Sequence, residues 1–146
     1  MKIFTKKESL AVFIILSVIF GISFFNFQVA LRRGRDNARE NDLSDIARAL
    51  VAYKEENSIY PPSLSLIPRL PQDPSTPTGR SYLYLTSGKN FQLFASFESE
   101  TDEALYSPTV KALNFKCGSF ICNFGISSGV PLDKSLEVYE NELHAQ

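Results

Sequence analysis

The chain is poor in the side chains that carry acid–base and metal chemistry: it has one histidine, His144, and two cysteines, Cys117 and Cys122. A structural zinc site draws on four ligands, and a two-cysteine chain with one histidine near its C-terminus does not supply them. No phosphate loop, HExxH pair or Cys/His nucleophile pattern occurs either. These absences argue against an enzyme, so no catalytic residue is expected, and His144 reads as a solvated tail residue. Charge is missing altogether from Ser9 to Leu31, a run of 23 residues. Proline is missing until Pro61, and Gly34 is the single glycine near the end of that run. Nothing before Pro61 therefore forbids a continuous helix.

A bilayer core needs ~20 helical residues, so the uncharged run is long enough to span one. A cleaved secretory signal is the competing reading. Its apolar core is usually about 7–15 residues and ends in a small-x-small site, whereas this run is longer and ends in "FQVALRR". The net charge of −1 conceals an asymmetry: residues 1–40 hold seven Lys and Arg against three acidic residues, a surplus of +4, which leaves −5 for the rest. Basic flanks suit anionic headgroups, and an acidic remainder argues against a nucleic-acid surface. The cluster Arg32, Arg33, Arg35 and Arg39 is thus read as the headgroup boundary, with contact to DNA as the alternative.

After Leu31 the apolar residues Leu43, Ile46, Ala47, Leu50 and Tyr53 recur at intervals of three and four, which marks one face of an amphipathic helix. Asp42, Asp45, Arg48 and Glu55 occupy the other. The pattern predicts one helix from Thr5 to Asn57, ended by "NSIYPPS". "PPSLSLIPRLPQDPSTPTG" follows with six prolines; it is expected to run extended over the helix, pressing Leu64, Leu66, Ile67 and Leu70 against it. From Arg80 the period becomes two, with Tyr82 and Tyr84 opposed to Leu83 and Leu85, then Phe91, Leu93, Ala95 and Phe97 opposed to Gln92, Phe94 and Ser96. "TSGKN" between them predicts a hairpin turn around Gly88. "ESETDEALYSPTV" reads as a loop, and "ALNFKC" with "CNFGIS" as a second strand pair joined across Gly118 and Ser119. The tail is read either as a short helix through Leu136, Tyr139 and Leu143 or as frayed chain.

The expected fold class is α+β, a long N-terminal helix packed on a small antiparallel β-sheet. Its parts are residues 1–3 as a short leader, 4–31 as a transmembrane helix, 32–60 as its amphipathic continuation, 61–80 as a Pro-rich loop, 81–130 as the sheet region and 131–146 as the tail. Cys117 and Cys122 are expected to form a disulfide, free thiols being the alternative. A disulfide belongs in an oxidising compartment, which places the N-terminus in the cytoplasm and the bulk of the chain outside it.

Three stretches, "FTKKE" (Phe4–Glu8), "ARENDLSDIARALVAYKEENSIYPPSL" (Ala38–Leu64) and "LPQDP" (Leu70–Pro74), occur in an order and spacing that resembles the type IV pilin-like proteins. In layout they are closest to the major pseudopilins of type II secretion and small bacterial type IV pilins. The resemblance implies a subunit that polymerises through its N-terminal helix, with other pilin-like subunits, an inner-membrane assembly machinery and the bilayer as partners. It also implies cleavage between Ile3 and Phe4 by a prepilin peptidase, methylation of the Phe4 amine, and a Glu8 carboxylate that neutralises the N-terminal ammonium of a neighbouring subunit. A charge pairing of Glu8 with Lys6 or Lys7 is the alternative for that residue. Major pseudopilins bind calcium in a loop near the acidic run Glu98, Glu100, Asp102 and Glu103, so Glu100 and Asp102 are calcium candidates beside the reading of a solvated loop with no metal or other cofactor. Ile3 stands where the family has glycine, and Lys6 and Lys7 where it is apolar. A second expectation follows: an unprocessed, single-pass extracytoplasmic binding module on a pilin-like scaffold.

Overall fold

A computed structural model describes residues 5–99 and 107–144. The fold is α+β: a long N-terminal helix, α1 (Lys6–Asn57), followed by a small antiparallel sheet and two short helices. The chain divides after Gly34 into two units.

In the first unit the helix presents apolar side chains to its surroundings all round. Phe13, Phe20 and Phe25 are each more than two-thirds exposed, and Leu10, Ile14 and Leu16 more than half. The helix is long and apolar enough to cross a membrane. Its backbone groups are satisfied within the helix, as a lipid environment requires, and the Ser17 hydroxyl in its middle donates back to the Phe13 carbonyl at 2.8 Å.

In the second unit, Leu43, Ile46 and Leu50 of α1 are buried and Ala47 packs beside them, so the three-and-four spacing is the core face. The helix stops where the sequence predicts. Ser58 turns left-handed at φ 66° and its N–H bonds the Lys54 carbonyl at 2.7 Å, while the Asn57 amide donates to the Tyr53 carbonyl. These bonds close carbonyls that the last turn leaves open. The proline-rich segment then differs from the extended strap expected of it. It contains two 3₁₀ turns, Leu64–Leu66 and Thr76–Thr78. Leu64, Ile67 and Leu70 pack on the core as expected, but Leu66 is rotated outward by the first turn and is 52% exposed.

Strands β1 (Leu83–Thr86) and β2 (Phe91–Ala95) form the expected hairpin, with Leu83 opposite Phe94 and Thr86 opposite Phe91. Gly88 takes φ 82° in the turn. The alternation sorts the hairpin's two faces. Tyr82, Tyr84, Phe91, Leu93, Ala95 and Phe97 meet α1, whereas Leu83, Leu85 and Phe94 meet a second apolar cluster. That cluster contains Val110 of α2 (Pro108–Ala112), a short helix lying in a segment read from sequence as loop. Ser107 caps α2 by accepting from the Val110 N–H, and Pro108 opens it, a local start signal.

The second strand pair needs a larger correction. Only β3 (Lys116–Cys117) and β4 (Phe120–Ile121) pair across Gly118 and Ser119. The remainder of "CNFGIS" becomes β5 (Phe124–Ser128), which joins the free edge of β2 antiparallel, with Ala95 opposite Phe124 and Phe91 opposite Ser128. The sheet order is β1-β2-β5. Gly125 makes this docking possible, because a Cβ there would sit 2.6 Å from the Phe94 ring. Asn123 extends the pairing by side chain, exchanging two hydrogen bonds with the Phe97 backbone. Cys117 and Cys122 are joined as the expected disulfide, buried under β2.

The tail resolves as a helix, α3 (Leu136–His144). Gln92, fully buried on β2, ties it down: its amide nitrogen donates to the carbonyls of Pro131 and Lys134, and its oxygen accepts the Leu136 N–H.

Candidate functional site

Two places gather the residues singled out in the sequence. The first is the start of α1. The Thr5 N–H donates to Glu8 Oε2 at 2.8 Å, and the Glu8 N–H donates to Thr5 Oγ1 at 3.4 Å. This reciprocal pair is a capping box, which satisfies two of the donors that a helix start leaves open. The T-x-x-E spacing of "TKKE" was its signal in the sequence. Glu8 is thus engaged with its own backbone, and neither Lys6 nor Lys7 is its partner in this arrangement. Ile3 and Phe4 lie outside the described residues.

The second place is an ionic network where α1 meets the proline-rich segment and the end of β2. Its centre is Arg39, whose side chain is wholly buried. Nη1 donates to Asp36 at 2.6 Å, Nε to Asp73 at 2.8 Å, and Nη2 to Ser75 and Glu98, each at 2.9 Å. Arg35 adds a bidentate grip on Glu98, at 2.9 and 2.5 Å. Asp36 also receives the backbone N–H groups of Glu98 and Ser99, both at 2.8 Å. Asp73 receives the Ser75 N–H in an Asx-type turn. No buried side-chain nitrogen or oxygen among the described residues is left without a partner.

The electrostatics follow from this geometry. Burial opposes the Arg39 charge, but its hydrogen bonds to Asp73, Glu98 and Asp36 outweigh it and hold the guanidinium protonated. Arg35, opposed by burial and helped by Arg39, holds the Glu98 carboxyl at about 2. A depressed carboxyl pKa stabilises the fold above its unfolded value of 4.5 and loses that contribution as pH falls toward 2. The loss should be about 2–3 kcal/mol, allowing for screening at the partly exposed Arg35. Urea denaturation between about pH 5 and pH 2.5 measures it. A Glu98→Gln variant as acid-sensitive as the parent would remove Glu98 as the source.

Of the four arginines assigned to a headgroup boundary, Arg39 is therefore internal and Arg35 is bound to Glu98, whereas Arg32 and Arg33 lie on the exposed helix before Gly34. Glu98 is committed to two arginines rather than free in a solvated loop. The calcium candidates Glu100 and Asp102, with Glu103, lie outside the described residues, and no group of three metal-ligating side chains occurs among those described. Asp73 and Ser75 are partners the sequence does not single out, and Asp36, expected to pair with the arginines of other subunits, pairs within its own chain. The i,i+3 spacing of Asp36 and Arg39 in "RDNAR" was visible, and so was the turn-forming "DPS". Their approach across 34 to 63 residues of chain was not.

The network has no free acid, base or nucleophile. Its chemistry is that of a clamp joining three segments. Comparisons with protein-family models, with curated proteins and with solved structures return no match.

Proposed function

We propose that the chain is a structural subunit of a type IV pilus-like or type II secretion pseudopilus filament, assembling through its N-terminal helix. One observation carries the reading: α1 exposes apolar side chains all round before Gly34, yet buries Leu43, Ile46 and Leu50 in a sheet-backed core after it. A membrane anchor needs the first feature and a soluble domain the second. Burying the first among copies of itself removes apolar surface from both water and lipid and gives the helix a use beyond anchoring.

In this reading the chain is not an enzyme. Its partners are further copies, related subunits, the inner-membrane assembly machinery and the bilayer. The N-terminus faces the cytoplasm and the disulfide-bearing part lies outside it, which the Cys117–Cys122 bond supports. Arg32 and Arg33 serve the headgroup boundary, and Glu8 the contact with a neighbouring subunit's ammonium.

The test is cross-linking in the native cell followed by shearing, with mass spectrometry of the N-terminus. A ladder of multimers in the sheared fraction, built from chains beginning at methylated Phe4, is the expected result. Ile3, Lys6 and Lys7, together with a helix start capped from within, favour the second reading, an unprocessed single-pass binding module. Intact Met1 on a monomer confined to membranes would establish that reading and sink the filament.

A further inference from the structure

The ionic network leaves one guanidinium over. Arg80, just before β1, donates Nη1 to the backbone and side-chain oxygens of Ser96, at 2.9 and 2.7 Å. Its Cζ lies 3.9 Å above the centre of the Phe120 ring, so the side chain is held flat against the β3–β4 hairpin. No carboxylate is paired with it among the described residues. Partial burial and the nearby Arg39 charge push its pKa down, against the opposing pull of Glu98, Asp73 and Asp36.

Arg80 lines an open cleft of about 510 Å³ together with Arg35, Ser75, Thr78, Glu98 and Phe120. Arg35 gives Nε and Nη2 to Glu98 and keeps Nη1. Arg80 keeps Nε and Nη2, which reach solvent, since no buried polar side-chain atom is unpartnered. The carboxylate in the wall, Glu98, has both oxygens hydrogen-bonded by Arg35 and Arg39. The wall hydroxyls of Thr78 and Ser75 donate to the Ser75 carbonyl and to Glu98, so the cleft offers two planar forks with spare N–H groups, a donor set that fits a tetrahedral oxyanion.

We propose that this cleft binds a phosphate group, held between Arg80 and Arg35. A phospholipid headgroup and free phosphate share that chemistry. Arg35 follows Leu31, the last residue of the uncharged run, by four positions on α1, which puts a headgroup source within reach of the sequence. The proposal does not rest on filament assembly.

The test uses the full chain in phosphate-free maltoside micelles and follows the Arg80 Nε–H signal by NMR, assigned through its loss in Arg80→Gln. The probes are inorganic phosphate and dihexanoyl phosphatidylglycerol, with acetate and chloride as controls. A saturable shift with a phosphate-bearing probe is expected. Arg35→Gln should weaken it about tenfold, one charge-assisted hydrogen bond's worth. Phe120→Leu, at a partly exposed position, should also weaken it by unpinning Arg80 while leaving the thermal melt in place. Saturation with inorganic phosphate assigns a free-phosphate site; saturation with the lipid alone assigns a headgroup site. A drift of equal size with all four anions, or a shift unchanged in Phe120→Leu and Arg35→Gln, overturns the proposal.

Discussion

Replacing Arg39 by methionine should cost the folded part of the chain about 3–5 kcal/mol, enough to unfold a domain whose total stability is typically about 5–15 kcal/mol. The loss of packing is small, because methionine fills much of the same space. The loss of charge is what matters. Asp36, Asp73 and Glu98 all converge on one guanidinium, and removing it leaves carboxylates at a site from which water is excluded. Asp36 would keep its two backbone donors, but Asp73 would keep only the Ser75 N–H. Arg39→Lys should fall between, since an ammonium cannot reach four acceptors in the geometry that a planar fork serves. Adding Asp73→Asn to Arg39→Met should recover part of the deficit, because the penalty is that of an unpaired charge. Urea denaturation of the full chain in micelles measures all three. A loss below about 1 kcal/mol for Arg39→Met would mean that water enters the network and screens it.

On the filament reading, Glu8→Gln should abolish surface filaments while leaving membrane insertion and the start of α1 intact. Glutamine keeps an oxygen that accepts the Thr5 N–H and so preserves the capping box, but it carries no charge to meet a neighbouring subunit's ammonium. Glu8→Ala removes both functions and cannot separate them. The pair of variants can. Filaments lost in both, counted by electron microscopy of sheared cells, support the charge contact of the filament reading. Filaments retained with glutamine and lost with alanine would show that Glu8 serves only to begin its own helix. The distinction arises because the structure pairs Glu8 with Thr5, whereas the sequence reading paired it with lysines or with another copy.

Much of the fold was legible from local rules. The three-and-four spacing of Leu43, Ile46 and Leu50, the stop at Asn57 and the two-residue alternation around Gly88 each depend on neighbours within a few residues. Each is found where it was expected. The strand after Cys122 was misassigned for the opposite reason. "CNFGIS" has a strand's composition, but its choice of partner, β2 rather than the preceding segment, depends on Gly125 fitting beneath Phe94. Alternation specifies which faces a strand has and says nothing of who lies beside it. Leu66 was misplaced because a 3₁₀ turn, not hydrophobicity, decides which of four closely spaced apolar residues points outward.

Arg39 marks the same division most sharply. In the sequence it is one of four arginines after an apolar run, and such residues are almost never fully buried unless paired. Its pairing partners sit on a proline-rich turn and at the end of a strand, brought together only when α1 packs against both. Chain order and side-chain periodicity settled that there would be a long helix with a lipid-compatible start, a water-compatible continuation and a small sheet to cover it, since these follow from solvent preference residue by residue. Which arginine faces solvent, which is locked inside and which lines a cleft without a carboxylate in direct contact were decided by tertiary packing alone. Burial and pairing are properties of places in space, and residues 36, 39, 73, 80 and 98 share one only after the chain has folded.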